Sequence, residues 1–568
     1  MSFRTRRRYR RPALLAGAAV AAIALGLTAC SSGEDPEGDA SGDTGDDGAT
    51  TSISVAFGEI IENWNPFSPT ALQPTRGVIF ETLYWYNLAS EADPTEMLGA
   101  GFEWNEDGTQ LTITTREDVQ WSDGAPFTAN DVAFTFNLIA ETPELNTSGT
   151  AATAEVVDDT TVVLTFPETS FMQEPSILGN TAIVPEHIWS QITDPTTNVN
   201  SDAIGTGPFT LSEFSTQSFV LTANENYWNG APAVDEVRYI PLESADANAA
   251  ALVAGEIDWM SAFIPGLEQL LTDDETLSYV NTPALTASIF TCSNADLGCT
   301  GPQTDPAVRQ AIYWAIDRTQ LNELAGGGFA ETASPTLLIP ARDESWIADG
   351  ENVTTPEGAD VDQANQILDD AGWVLGSDGI REKDGERLSM TIQTVSGWSD
   401  FISLNDAMTQ QLAEVGIELQ PTQVAWNEWN NNQTMGTFQL SLDSIGLGAS
   451  SNPYFTYNGK YHTANTLPVG EGAIGGNSAR YSNPVVDEAL DAAARTADEA
   501  EQAEQYAIVQ TEIVRDLPYI PIYVNSMLTE FNTSRATGWP TDDDRYAMPA
   551  TWKAWDNGIV LHRIVPAE

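Results

Sequence analysis

The 568-residue chain predicts an α/β fold with mixed sheets, and three observations lead there. Apolar residues recur at helical spacing in several capped stretches, they alternate at strand spacing in between, and they make up 42% of the chain, ample for a large core. At about 150 residues per domain, this length accommodates three or four domains.

The pattern begins at Ile53 and does not lapse again for long. Strand spacing marks 161–166, 219–222, 237–241 and 519–524. Thr128 and Asp131 stand at capping-box spacing ahead of Val132, Phe136 and Ile139, so a helix starts there. Asp305 and Pro306 have the order of an N-cap and a first-turn proline. Val308, Ile312 and Ile316 then share one face, which predicts a long helix ended by the glycines at 326–328. Ala364, Leu368 and Ala371 form a stripe closed by Gly372. Met408, Leu412 and Val415 form another closed by Gly416, with a short strand at 417–419.

The charge is lopsided: 82 acidic against 23 basic side chains give a formal charge of −59. Six of the Arg lie in the first eleven residues, and only three Lys exist, Lys383, Lys460 and Lys553. So negative a body repels phosphate backbones and anionic headgroups, which argues against nucleic acid as a partner. The acidity itself speaks first to solubility.

The first eleven residues are Arg-rich, residues 13–29 carry no charge, and Cys30 follows. This is the order of an export signal, and at Ala- and Gly-rich composition the run is a poor permanent span. Leu27-Thr28-Ala29-Cys30 resembles the bacterial lipobox, in which cleavage before Cys exposes a thiol for lipid attachment. The expected location is the outer face of the cytoplasmic membrane, anchored at Cys30. The remainder of 30–51 holds Gly, Ser, Thr and acids with nothing to join a core, a solvated tether of at most roughly 70 Å at about 3.3–3.6 Å per residue.

Once Cys30 carries lipid, only Cys292 and Cys299 remain, and outside the cell they are expected to bond and close a small loop. The rival reading, a metal site, needs three or four ligands, and His187, His462 and His562 have no ligand-like spacing to each other or to these Cys. No cofactor is expected. Catalytic motifs fail as well. There is no Gly-x-Ser-x-Gly elbow, no His-Glu-x-x-His and no phosphate-binding Gly-Lys loop. The one dinucleotide-like match, 470–475 (GEGAIG), lacks a preceding strand and a following helix and reads as a loop.

Residues 114–139 (TTREDVQWSDGAPFTANDVAFTFNLI) resemble the signature segment of family five of the extracellular solute-binding proteins, the group typified by oligopeptide- and dipeptide-binding proteins of ABC importers. Further marks follow in order: 205–209 (GTGPF), 224–239 (NENYWNGAPAVDEVRY), 251–258 (ALVAGEID), 305–318 (DPAVRQAIYWAIDR), 368–373 (LDDAGW), 415–419 (VGIEL) and 517–523 (LPYIPIY).

The resemblance implies a two-lobed, three-domain fold of the periplasmic-binding-protein type II kind, with an extra domain and a hinge. In that layout 1–29 is the signal peptide and 30–51 the tether. Domain I is discontinuous (52–75, 205–284 and 519–568), domain II, the extra domain, takes 76–204, and domain III, the second lobe, takes 285–518. The implied partners are permease subunits with separate ATPase subunits, and the implied state is a monomer that is not an enzyme.

In peptide-binding relatives an Asp in a tryptophan-containing turn pairs with the peptide amino group. Here that position falls on Gly448 or Ala449, and Asp443 comes too early, so acetylating a peptide's amino terminus is expected to cost little. Some relatives instead carry β-linked oligosaccharides, which stack on Trp faces. The resemblance places Trp398, Trp426, Trp429, Asn452 and Tyr454 around the ligand, and Trp64, Asn65 and Trp85 at cleft-lining positions by location. The expected ligand is an oligopeptide-class solute, with a cello-oligosaccharide type as the alternative. A secreted hydrolase on the same scaffold is the remote third reading.

Overall fold

The computed structural model describes residues 51–567 except 91, 147, 148, 150, 151, 243, 265, 268, 271–273, 349, 351, 352 and 473–475. The expected export signal, Cys30 and the tether up to residue 50 lie outside the described residues, as does the end of the glycine-rich loop.

A ten-stranded mixed sheet organises the body. Its order from one edge is Glu418–Val424, Ser389–Val395, Leu440–Ile445, Leu277–Thr291, Tyr519–Asn532, Trp259–Met260, Ser52–Phe57, Glu236–Pro241, Ser218–Ala223 and Phe209–Ser215. Two of these strands are far longer than the rest. Leu277–Thr291 and Tyr519–Asn532 run antiparallel along each other for 15 and 14 residues. Their register shifts between Pro283 and Leu285 and again between Ala287 and Ser288. A bulge bends and twists the pair it interrupts. On one side of the shifts Glu530 and Phe531 pair with Met260 and Trp259. On the other, Thr286 to Thr291 pair with Ile445 to Leu440.

Separate cores flank this crossing. Trp64, Phe80, Phe219, Tyr239, Trp259 and Phe531 belong to one. Ile312, Leu368, Ile392, Met408, Ile520 and Tyr523 belong to another, continued by a tyrosine-rich cluster around Tyr457, Tyr461, Tyr506 and Tyr519. Thus the opening residues of the strand Tyr519–Asn532, at the expected boundary of 519, pack in the second lobe, and the chain crosses near Asn525. The two lobes are joined by paired backbone, the kind of connection in which a few residues absorb a hinge motion.

A four-stranded antiparallel sheet, Gly99–Trp104, Gln110–Thr115, Thr161–Thr165 and Thr153–Asp158, forms a further layer with its own core. The helix Ala129–Glu141 covers it and buries Val132, Phe136 and Ile139. Its capping box is present, with the Thr128 amide donating to Asp131 Oδ2 at 2.9 Å. The signature segments tie this layer to the first lobe. Buried Glu81 accepts the Tyr227 hydroxyl at 2.7 Å and Trp228 Nε1 at 3.0 Å, and the Arg116 guanidinium lies 4.1 Å above the Trp228 ring. At Gly207 a Cβ would run into the backbone of Val78 and Ile79, which explains the glycine. These motif residues hold the fold together.

The helix after Asp305 ends earlier than expected. It spans Pro306–Ala315 with Asp305 as N-cap, and Ile316 is already extended. Asp317 then caps a separate turn, Arg318–Leu321, by accepting from the Gln320 amide at 2.9 Å. The buried Arg318 guanidinium donates to the Pro521 carbonyl at 3.1 and 3.2 Å, and this fixes the break. The other stripes form helices Val361–Asp370 and Ser399–Ala413, with Gly372 and Gly416 at positive φ beyond them.

Cys292 and Cys299 are bonded, with Cα atoms 5.5 Å apart, and close a short turn just past the long strand. Each histidine has a partner of its own: His187 bonds Asp123 at 2.8 Å, His462 bonds Asp491 at 3.3 Å, and His562 bonds the Gly230 carbonyl at 3.0 Å.

Candidate functional site

Ligands of open α/β sheets sit beyond the carboxyl ends of the strands. Six strands of the large sheet direct the search. In the first lobe, the parallel strands Ser52–Phe57, Glu236–Pro241 and Trp259–Met260 end at Phe57, Pro241 and Met260. In the second, the parallel strands Ser389–Val395, Glu418–Val424 and Leu440–Ile445 end at Val395, Val424 and Ile445. Residues that follow five of these ends, all but Val424, line three large cavities.

The first cavity, about 620 Å³, is walled by the loop after Phe57 (Glu59 and Ile61), by Leu242 and by Ser261. The second, about 680 Å³, takes Phe263 from the first lobe, Asn525 to Leu528 from the crossing strand, and Leu324, Phe329, Ser399 and Asp400 from the second. Trp552 lines both. Ile61, Phe263, Leu324 and Trp552 are the large apolar side chains that these walls leave exposed, at 64, 50, 59 and 45%. Apolar area left in water inside a concavity marks a place where something docks.

The third cavity, about 490 Å³, opens between the layer carrying Tyr86, Asp93, Phe171 and Glu174 and the second-lobe residues Trp346, Ser450 to Asn452, Phe455 and Glu499. Glu174 is its innermost acid, accepting Trp104 Nε1 at 3.0 Å and the Tyr86 hydroxyl at 3.4 Å. Burial pushes this carboxyl up from its ordinary range, against the pull of those donors.

The expected site residues divide into two groups. Trp398, Trp426 and Asn452 follow the carboxyl ends of the three second-lobe strands. Trp398 meets Trp429 edge to face, with ring centroids 5.1 Å apart, and it precedes the helix that supplies Ser399 and Asp400 to the second cavity. Trp426 is 54% exposed, whereas Trp429, in the same helix Trp426–Met435, is 5% exposed. Asn452 lines the third cavity, and Tyr454 opens the helix Tyr454–Tyr461 beside it.

The other group sits in cores. Trp64 is fully buried, edge to face with Phe219 at 5.2 Å. Asn65, also buried, bonds the Pro195 and Asn198 carbonyls at 2.9 Å and so holds a loop. Trp85 is 8% exposed within the same apolar cluster as Trp64. Of the eight expected residues only Asn452 lines these cavities.

Packing explains the missing acid. A Cβ at Gly448 would collide with the Phe455 side chain, so the loop as folded admits only glycine there. Asp443 lies earlier, in the strand Leu440–Ile445, where burial raises it and Lys460 opposes the shift. It lines none of the three cavities. Phe263, Leu324 and Trp552 were missed by sequence reasoning, since no local period marks an exposed apolar residue whose cavity is assembled from distant segments.

Comparison with known proteins decides the family. Residues 87–466 match the family model described as bacterial extracellular solute-binding proteins, family 5 middle. This chain belongs to family 5. Among its relatives, protein XP55 of Streptomyces lividans is 30% identical over 531 residues, covering 91% of this chain and 90% of that one. The oligopeptide-binding protein AppA of Bacillus subtilis is 26% identical, covering 73% and 75%. The crystal structure of a periplasmic oligopeptide-binding protein of an ABC transporter from Thermotoga maritima superposes with a TM-score of 0.81 at 25% identity, covering 92% of this chain and 100% of that one. The mannohexaose-bound form of that Thermotoga protein gives 0.72. The two-lobed family 5 fold is therefore the fold of this chain, and the family is extracellular. Among the described residues no helix is long and apolar enough to cross a membrane.

Proposed function

We propose that this chain is the solute-binding lipoprotein of an ABC importer, held at the outer face of the cytoplasmic membrane by lipid on Cys30, and that it captures an oligopeptide-class solute between its lobes. The observation that carries the reading is the cavity set beyond the carboxyl ends of strands from both lobes, on a chain of family 5. The relatives named for oligopeptides favour that cargo.

The mechanism follows from the crossing strands. A solute that touches Trp552 and Phe263 on one side and Leu324 and Asp400 on the other stabilises the arrangement in which both lobes reach it, and binding shifts the hinge population by that differential contact. The lobes correspond to domain I (52–75, 205–284 and about 525–568) and domain III (285 to about 524), with 76–204 as domain II. Confinement on the tether raises the effective concentration of loaded protein at the permease. Separate ATPase subunits consume the ATP, and the binding protein works as a monomer and performs no turnover of its own.

A second reading, an oligosaccharide ligand, is favoured by the mannohexaose-bound Thermotoga relative and by the exposed indoles of Trp426 and Trp552. Calorimetric titration of the purified chain with defined oligopeptides and with cello- and mannohexaose tests both. The proposal expects saturable one-to-one binding of peptide. Binding of the sugars alone would overturn it in favour of the second reading, and release of cleaved products would overturn both.

A further inference from the structure

We infer that Phe263, Leu324 and Trp552 set the side-chain class of the cargo: the second cavity takes a bulky apolar side chain of the bound peptide. This rests on the oligopeptide reading and deepens it by naming what separates a good peptide from a poor one.

Single apolar residues scattered on a surface need no explanation, and this chain has several, such as Val374 at 69% exposure. These three differ because they converge. They come from segments far apart in sequence, each stays about half in water, and all line one cavity of about 680 Å³, the size of an ordinary ligand pocket.

Their backbones are braced. Leu324 lies in the π-turn Asn322–Gly326, a rare winding found frequently at functional sites. Asn322 closes the neck of that loop, its Nδ2 donating to the Ala330 carbonyl at 2.7 Å and its Oδ1 accepting the Ala330 amide at 3.1 Å. The loop is also tied to the crossing strands, since the Phe329 carbonyl accepts Asn281 Nδ2 at 2.8 Å and the Ser526 hydroxyl at 2.5 Å. Beside Trp552, the Thr551 amide donates to Ser261 Oγ at 3.0 Å and the Thr551 carbonyl accepts Asn557 Nδ2 at 2.9 Å. Apolar side chains on backbone fixed in this way are preorganised, so little ordering entropy is lost when a partner covers them.

Phe263 joins the lobes. A Cβ at Gly327 would stand 2.8 Å from its ring, so this first-lobe ring packs on bare second-lobe backbone, at a glycine with φ of +61°. Half of the residue remains open to the cavity. An apolar side chain entering there covers Phe263 from one lobe and Leu324 from the other. Its burial is complete only when both walls are in place, which is the differential contact that closure requires. A polar side chain of the same size gains none of this and gives up its water. Glu323, Ser399, Asp400 and Asn525 in the same lining offer acceptors and donors to the peptide backbone.

The test uses the full exported chain carried in lipid nanodiscs, so that no detergent competes for the cavity. Its probes are hexapeptides on an alanine–serine frame that differ at one residue, Leu, Ala or Asn, placed in turn at each position. Asn is close to Leu in size and shape without its apolar surface. Calorimetry should find a position at which the Leu peptide binds about tenfold more tightly than the Ala and Asn peptides, equivalent to about 1.4 kcal/mol. Phe263→Ala, Leu324→Ala and Trp552→Ala, all at exposed side chains, should each shrink that ratio toward about twofold, whereas Val374→Ser, outside the cavities, should leave it near about tenfold. Equal binding of the Leu, Ala and Asn peptides at every position would overturn the assignment and leave the oligopeptide reading standing. A Leu preference that all three cavity substitutions leave intact would overturn its location. Binding of mannohexaose with no peptide bound would overturn the oligopeptide reading and the assignment together.

Discussion

The Tyr506 hydroxyl donates to Asn452 Oδ1 at 2.7 Å, and the same oxygen accepts the Tyr454 amide at 2.9 Å while Asn452 Nδ2 donates to Gln502 Oε1 at 2.8 Å. Asn452, expected at the ligand, thus pins its loop to the helix Glu499–Asp516. Asn452→Ala should therefore cost about 1–3 kcal/mol of stability, because it strands a buried hydroxyl and two further groups. Urea denaturation measures this. Unchanged stability with lost solute binding would assign Asn452 to direct contact instead.

Trp426 and Trp429 separate a binding role from a packing role. Trp429 is buried against Trp398, and Trp429→Ala should cost about 3–5 kcal/mol of stability as a large-to-small core change. Trp426 is mostly exposed, so Trp426→Ala should leave the melting temperature within a degree or two, by the rule that surface changes stay near about 0.5 kcal/mol. If a hexasaccharide binds here by stacking, calorimetry on Trp426→Ala should show the loss, and retained sugar affinity would exclude that face.

Buried acids set the pH dependence of stability. Burial raises Glu81 and Asp556 to about 7 and Glu530 to about 8, each opposed by hydrogen bonds that favour the charged form. In the unfolded chain these groups ionise near their ordinary values of about 4. Between those limits the native state holds protons that the unfolded state releases, so stability falls as pH rises from about 4 to about 8 and flattens above. Relief of self-repulsion among the surplus acids acts in the same direction. Thermal melts should therefore give a higher midpoint at pH 5.5 than at pH 8.5, and Glu81→Gln should flatten part of the slope. A midpoint that climbs with pH across this range would contradict the argument.

Cys30→Ala should move the protein from the membrane fraction to the soluble fraction with solute affinity unchanged, since among the described residues Ile53 is the first in the core. Fractionation with a binding assay on the released chain checks this. Continued membrane retention would contradict the lipid anchor.

Much of the fold was legible because its signals are local. The Thr128 and Asp131 capping box and the Asp305 and Pro306 helix start involve neighbours three or fewer residues apart. The end of that second helix was not legible, since Arg318 bonds a carbonyl of Pro521 some two hundred residues away. The ten-stranded sheet likewise pairs Leu277–Thr291 with Tyr519–Asn532, a partnership that no local pattern announces.

The site divides the same way. Strand ends and the family resemblance both point past Val395, Val424 and Ile445 to Trp398, Trp426 and Asn452, and of these Asn452 lines a cavity. Trp64 was misplaced because a buried and an exposed indole look alike in a sequence. Trp552 and Phe263 were passed over because only the assembled walls show that they stay in water.

Native mass spectrometry of the exported chain, isolated without unfolding, tests the central claim most directly. The expected result is a one-to-one complex whose released ligands are peptides. A ligand set made only of hexose oligomers would contradict it.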